Sequence, residues 1–237
     1  TVKGCPFADT IRSDIVNALS NLKEIENIDV QMTTMSQQEL NEFRGVIQSK
    51  MGNKDLAVGS YEKSIQINPQ FDKAFFALGL AKSSMNNTEG ALESLQKAID
   101  IYPGYDKAYG AMGDIYIQQK DYDRAKQTLK MATTVNPNYS KGYANLGVIY
   151  SEEENWNQAI FSLEMAVALN ERDAMSFFRL SGAHNMNGDC DSALDAARKS
   201  TELKNRFGGA WFELGIAEWC NGSGNKAGAL NAFEKAR

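Results

Sequence analysis

One pattern returns along most of this chain every 34 residues, and it limits the fold more than any other feature of the sequence. Each period holds a small residue. An aromatic residue precedes it by four places in every period except the first, which has Asn41 there, and an alanine follows it by twelve places in most periods. The aromatic positions are Phe75, Tyr109, Tyr143, Phe177 and Trp211. The small positions are Gly45, Gly79, Gly113, Gly147, Ser181 and Gly215, and the alanines are Ala57, Ala91, Ala125, Ala159 and Ala193. A strict period of this length predicts a repeat protein, because stacked units bury the apolar faces that one unit leaves open.

The segment Asp106–Tyr139 resembles one unit of the tetratricopeptide repeat (TPR) family. The residues that carry the resemblance are Tyr109, Gly113, Tyr116, Ala125, Leu129, Ala132 and Pro137. The resemblance covers six units, which are 38–71, 72–105, 106–139, 140–173, 174–207 and 208–237. It implies an all-α fold, a right-handed superhelical solenoid of helix–turn–helix units whose first helices line a concave groove. Residues 36–237 are therefore expected to form a TPR domain.

Residues 1–35 stand outside the repeat and are expected to form an N-terminal helical extension and linker. Apolar residues recur there at spacings of three and four, the mark of a helix with one apolar face: Ile11, Ile15, Leu19, Leu22, Ile25 and Ile28. We expect this helix to cap the first repeat, and the alternative is that it docks on a partner or on a second copy of the chain. Ser36 and Glu39 then match a capping box for the next helix.

The sixth unit departs from the strict period. The segment 221–225 lengthens its inter-helix turn by two residues, and Ala229, Phe233 and Ala236 resume the pattern displaced by that amount. The sequence stops at Arg237, where the last helix ends without a polar cap. Either the natural chain continues, or another subunit covers this end, so self-association through the N-terminal helix or the uncapped C-terminal end is one expectation.

Composition argues against nucleic acid as a partner, against a membrane span and against a catalytic site. A formal net charge of -5 argues against nucleic acid, because phosphate binding needs a concentrated basic surface. No apolar run approaches the roughly 20 residues of a membrane-spanning helix. The chain is expected to be soluble, with the cytoplasm favoured and the periplasm or secretion as alternatives. His184 is the only histidine and shares the column of Tyr116 and Tyr150, so it is expected to be structural, and no catalytic, cofactor or metal site is predicted.

In proteins of this family the first helices usually bind the partner, and the resemblance assigns a peptide-binding groove to the positions that the repeat pattern leaves free. These residues are Lys73, Phe76, Leu80, Lys107, Asp114, Ile117, Lys141, Val148, Phe178, Phe212 and Ile216. The three lysines predict a basic edge that could meet an acidic segment. The alternative is three solvated lysines that follow the N-cap residues Asp72, Asp106 and Ser140.

Two known uses of the fold are not expected here. TPR domains that clamp the C-terminal carboxylate of heat-shock chaperones place Lys and Asn where this chain has Phe76 and Leu80. The asparagine ladder of the protein O-glycosyltransferase arm is reduced to Asn145. The remaining expectation is a non-enzymatic scaffold or assembly factor that binds a peptide or amphipathic helix in the groove. The alternatives are a self-associating structural solenoid, or the targeting arm of a larger enzyme or complex.

One covalent feature follows from the resemblance. Cys190 begins the second helix of the fifth unit and Cys220 ends the first helix of the sixth. TPR stacking makes these two helix ends neighbours, so a disulfide between them is a hypothesis, and it would imply an oxidising compartment.

Overall fold

A computed structural model describes residues 36–220 and 225–237. These ranges hold twelve α-helices and no strand: α1 (Gln37–Lys50), α2 (Lys54–Ile67), α3 (Asp72–Ser84), α4 (Thr88–Ile101), α5 (Asp106–Gln118), α6 (Tyr122–Val135), α7 (Ser140–Glu152), α8 (Trp156–Leu169), α9 (Ala174–Asn187), α10 (Cys190–Leu203), α11 (Gly208–Cys220) and α12 (Lys226–Ala236). From α3 onward the first helix of each repeat begins 34 residues after the one before. The fold is an all-α helical repeat solenoid, as the period predicts. The expected N-terminal helix and Cys5 lie outside the described residues.

The chain forms two compact units, one that ends at Ile115 and one that runs from Tyr116 to Arg237. In the first unit, buried residues of α2 and α3 form a core cluster of Ala57, Tyr61, Leu78 and Ala81. In the second unit, one cluster joins α8, α9 and α10 and consists of Ala159, Leu163, Leu180, Ala183 and Ala196. A further cluster of Ala197, Leu214 and Ala232 joins α10, α11 and α12. Each cluster draws on successive repeats, which is how a solenoid builds one core from small units.

The small-residue column exists because the two helices of a repeat approach closely. A Cβ at Gly79 would lie 2.7 Å from Cγ of Leu95, and a Cβ at Gly147 would lie 2.5 Å from Cγ of Leu163. The fifth repeat inverts this pairing, since it carries Ser181 in the small column and Ala197 in place of the leucine. The Ser181 hydroxyl is fully buried and donates a hydrogen bond of 2.9 Å to the carbonyl oxygen of Ala193. A larger residue on one helix is thus matched by a smaller one on the other.

The turn between the two helices of a repeat uses a left-handed residue at one fixed position. The residues there are Gly52, Asn86, Lys120, Glu154 and Gly188, with φ between 56° and 80°. These positions are 34 residues apart, so the turn geometry repeats although the residue type does not. The exposed run of three glutamates at 152–154 therefore contains a residue with a conformational role in the turn, Glu154.

Side-chain caps fix where the helices begin. An Asn or Asp caps the second helix of five repeats by accepting a hydrogen bond from the backbone N–H three residues later: Asn87, Asp121, Asn155, Asp189 and Asn225. Asn225 follows Asp189 by 36 residues instead of 34, which confirms the displacement of two residues, although 221–224 lie outside the described residues.

The capping box at the start of α1 is confirmed. The Ser36 side chain accepts a hydrogen bond from the Glu39 N–H, and the Glu39 carboxylate accepts one of 2.8 Å from the Ser36 N–H. The N-cap assignment of Asp72 and Ser140 is wrong, because each is the first residue of its helix and the preceding aromatic residue occupies the N-cap position.

Candidate functional site

We use the term first-helix face for the side chains at the second, fifth, ninth and twelfth positions of the repeats. In the first unit, α1 and α3 pack side by side and present this face. The Phe76 ring is half-buried and packs against Tyr105, with ring centroids 5.0 Å apart. Leu80, one turn along α3, leaves 45% of its surface exposed. The first unit therefore offers an aromatic pair beside an exposed aliphatic side chain.

Acidic groups surround this aromatic pair. Burial raises the pKa of Tyr105 to about 12, and the negative charges of Asp72, Glu42 and Asp106 add to the effect. Burial also raises the pKa of Glu42, and the positive charge of Lys73 opposes that rise. Lys73, which the sequence places on a basic edge, thus has a carboxylate of its own chain within electrostatic reach.

In the second unit, α7 packs against α9 and α9 packs against α11, so three first helices lie in sequence. Phe178 of α9 packs edge-on against Phe207, with ring centroids 4.9 Å apart. Phe212 of α11 contacts Phe233 at 5.7 Å between centroids and leaves 51% of its surface exposed. Val148 and Ile216 are half-buried at the ninth position. Among these apolar side chains of the second unit, the most exposed lie on α11.

A polar contact links α9 and α11 beside these aromatic residues. The Asn185 side-chain amide donates hydrogen bonds to the Glu213 carboxylate at 2.7 Å and to the Glu213 carbonyl at 3.3 Å. Burial raises the pKa of Glu213, and the hydrogen bond from Asn185 opposes that rise. A Cβ at Gly182 would stand 3.6 Å from the Glu213 carboxylate, an ordinary van der Waals distance, so Gly182 lies directly beside the acid.

The remaining groove residues differ in exposure. Lys73, Lys107 and Lys141 are exposed, and Asp114 and Ile117 are half-buried. The basic edge as a binding feature stays a prediction. Arg179, which the sequence does not single out, is half-buried on α9, where burial lowers its pKa and Asp173 opposes the change.

The sequence reasoning missed Tyr105 and Phe207, which pack on the two groove phenylalanines. Both occupy the last position of their repeat, immediately before a first helix. A signal for them was present, because aromatic residues recur at that position as Phe71, Tyr105, Tyr139 and Phe207. Trp219, at the twelfth position of the sixth repeat, adds an indole with 63% of its surface exposed.

The structure brings Cys190 and Cys220 together and joins their sulfur atoms, with Cα atoms 5.7 Å apart. His184 is buried, as expected of a structural residue, and its Nδ1 lies 3.4 Å from a carboxylate oxygen of Asp189. Among the described residues, no group of three or more His, Cys, Asp or Glu side chains could hold a metal ion. None of the helices described above has the length and apolar character needed to cross a membrane.

Comparison with known proteins identifies the repeat independently. Two models of the tetratricopeptide repeat match, one over residues 39–71 and one over residues 82–147. No curated protein matches the chain significantly.

Several solved structures are similar. YrrB, a TPR protein with an unusual peptide-binding site, is 25% identical over 74% of this chain and 90% of its own, with a TM-score of 0.63. PilF of Pseudomonas aeruginosa is 17% identical over 83% of this chain and 88% of its own, with a TM-score of 0.73. A thermophilic TPR protein of Thermus thermophilus is 22% identical over 82% of this chain and 99% of its own, with a TM-score of 0.58. The last two likenesses are evidence of fold alone.

Proposed function

Because the chain belongs to the tetratricopeptide-repeat family, a family of generally non-catalytic protein-binding scaffolds, we propose that it binds an amphipathic helix or extended peptide on its first-helix face. The bound segment belongs to a protein partner, and the chain acts as a scaffold or assembly factor. Apolar side chains of the partner pack on the phenylalanines, and the lysines at the second position of the repeats orient its acidic groups.

One observation carries the proposal: first helices in each of the two units expose large apolar side chains. Leu80 and Phe212 are each about half exposed, and the aromatic pairs of Phe76 and Phe178 lie at the fifth position of their repeats. Exposed apolar side chains in a continuous strip mark interaction sites in soluble proteins. Amphipathic helices bind such strips through side chains spaced by one helical turn.

The likeness to YrrB supports the binding of a peptide, since that protein has an unusual peptide-binding site and is 25% identical to this chain over the aligned residues. The aromatic content of the face supports it further, because aromatic residues dominate the energetics of protein interfaces. The Asn185 and Glu213 pair joins α9 to α11 and so holds Phe178 and Phe212 on neighbouring first helices.

The test begins with a displayed library of 16-residue peptides of helical amphipathic pattern, selected on the wild-type protein. Selected peptides are then titrated against the Phe178→Ala, Phe212→Ala double variant. We expect affinity to fall by about thirtyfold or more, since truncation of one central interface aromatic costs roughly 2 kcal/mol. Far-ultraviolet circular dichroism checks that the helices are retained.

The matched control is Phe161→Ala. Phe161 lies in the same unit, is 59% exposed, and belongs to the second helix α8. The same change of side chain there should leave the affinity unaltered. The first unit is tested in parallel with Phe76→Ala, with Leu56→Ala on α2 as its control. Equal affinities for face and control variants in both units would exclude the first-helix face as the binding site.

A further inference from the structure

The Cys190–Cys220 contact occupies a defined structural position. Cys190 is the first residue of the second helix α10, and Cys220 is the last residue of the next first helix, α11. The corresponding position between the first two repeats holds a hydrogen bond, in which the Lys54 ammonium donates to the Ser84 carbonyl oxygen at 2.6 Å. The chain thus links neighbouring repeats at the same repeat position in two places. The link is a hydrogen bond between the first and second repeats and a covalent bond between the fifth and sixth.

The core cluster that joins α10, α11 and α12 contains an alanine at a position where the other repeats have a large side chain. Ala197 stands where the other described repeats place Tyr61, Leu95, Leu129, Leu163 or Phe233. It forms the core cluster with Leu214 and Ala232, and Leu194 and Trp211 cover this cluster. An alanine contributes less buried apolar area than a leucine or an aromatic residue, so position 197 itself contributes less to this cluster than its counterparts do in the other repeats.

Polar contacts across the same boundary add little. Arg198 of α10 pairs with Glu218 of α11 at 3.2 Å, but the arginine side chain is more than half exposed and such pairs contribute weakly. Glu218 also accepts a hydrogen bond from Asn225, so it ties α11 to α12 within the sixth repeat. The contact between Asn185 and Glu213 is a second polar link between the repeats. The covalent bond therefore adds to a boundary that also holds these two polar links and the apolar cluster.

We propose that Cys190 and Cys220 form a reversible disulfide lock that holds the sixth repeat on the fifth and thereby controls the α11 part of the first-helix face. When the bond is closed, α11 is fixed against α9 and α10, and Phe212 and Ile216 keep their register with Phe178. When it is open, α11 and α12 detach more readily while the preceding repeats stay folded. The control of peptide affinity rests on the function proposed above, whereas the lock itself does not.

The chemistry is thiol–disulfide exchange with a dithiol protein or small dithiol. A thiolate of the reductant attacks the sulfur of Cys220, which is the more exposed residue of the two, and Cys190 leaves as a thiolate. The second thiol of the reductant then releases Cys220 from the mixed disulfide. The protein gains two electrons and two protons, and the reductant becomes a disulfide. Closure is the reverse exchange with a disulfide oxidant.

The bond is tested first, by alkylation and intact mass of the full chain purified without reductant. The chain has three cysteines, so we expect one alkylated thiol before reduction and three after it. Peptide mapping should place the single label at Cys5. Labels at both Cys190 and Cys220 in the unreduced native protein would overturn the proposal.

The lock is tested by hydrogen–deuterium exchange on the oxidised protein, the reduced protein and the Cys190→Ser, Cys220→Ser double variant. We expect amide exchange in α11 and α12 to rise about tenfold or more on reduction and in the variant, with α7 and α8 unchanged, because local openings report the stability of each segment. The double variant should not respond to reductant. Equal exchange of α11 and α12 in all three forms would refute the lock.

The effect on binding is measured separately, with a peptide selected as described above. We expect weaker binding to the reduced protein and no redox response in the double variant. Unchanged affinity on reduction, together with faster exchange of α11, would leave the lock standing and overturn its control of the face. If the protein selects no peptide in either redox state, the proposed function is refuted. The hydrogen–deuterium exchange experiment still tests whether the disulfide holds the sixth repeat.

Discussion

The close approach of the two helices in a repeat can be tested with one substitution made at two glycines of the first unit. Gly79 and Gly59 both lie inside helices, Gly79 in α3 and Gly59 in α2. A Cβ at Gly79 would lie 2.7 Å from Cγ of Leu95 and 3.2 Å from the carbonyl oxygen of Ala91, whereas a Cβ at Gly59 would meet nothing within 4 Å. The two substitutions add the same methyl group, but only the one at Gly79 brings that group into a steric clash.

The magnitudes follow from these distances. Gly59→Ala should stabilise the protein by about 0.5–1 kcal/mol, because alanine loses less backbone entropy in a helix. Gly79→Ala gains the same amount but forces its methyl group against a fully buried leucine and a backbone carbonyl. Overpacking of this kind costs about 1–3 kcal/mol. The two variants should thus differ by about 1–3 kcal/mol, with Gly79→Ala the less stable.

The assay is urea denaturation followed by far-ultraviolet circular dichroism, with the midpoint compared at a common slope. A third variant isolates the contact: in a Leu95→Ala background, Gly79→Ala should lose most of its penalty. The two residues would then show an interaction energy of about 1–3 kcal/mol in a double-mutant cycle. If Gly79→Ala is as stable as Gly59→Ala, the steric explanation of the small-residue column is wrong.

Two further predictions concern the turns and the face. Glu154 has a φ of 56°, a backbone conformation that disfavours residues with a Cβ, so Glu154→Gly should raise the free energy of unfolding by about 1 kcal/mol. Chemical denaturation measures this change, and a variant less stable than the wild type would contradict the conformational role of Glu154 in the turn. Burial raises the pKa of Glu213, so the folded state favours the protonated acid, and this contribution to stability is lost as pH rises through the raised pKa. Glu213→Gln should therefore raise the melting temperature at neutral pH, with a gain that shrinks as pH falls through the raised pKa and is absent below the ordinary carboxyl pKa. A gain that is independent of pH would assign the effect to packing instead.

The helix pairs were predictable from the sequence because the contacts that define them are local. Gly79 and Leu95 belong to one repeat, so the column pattern records their contact directly. The left-handed turn position was not predictable, since Asn86, Lys120 and Glu154 share a backbone conformation and no side-chain type. The turn imposes the conformation on whichever residue is present.

The candidate face was predicted in part. The positions of Phe76 and Phe178 followed from the spacing of residues along one helix. Their partners Tyr105 and Phe207 lie just before the next first helix, so the spacing within one helix does not reveal them. The electrostatic surroundings of Lys73 were also missed, because Glu42 belongs to another repeat and becomes a neighbour only when the repeats stack. Contacts within a repeat can be read from the period, and contacts between repeats require the structure.

The reciprocal sizes of Gly147 with Leu163 and of Ser181 with Ala197 have a consequence for exchange of parts between repeats. A hybrid hairpin that joined α9 to α8 would set the Ser181 side chain against Leu163, and the opposite hybrid would face Gly147 with Ala197 and leave a void. Whole hairpins can therefore be duplicated, deleted or transplanted with their internal fit intact, whereas single helices cannot. The smallest interchangeable module of this protein is the pair of helices, and recombination within a pair should be selected against.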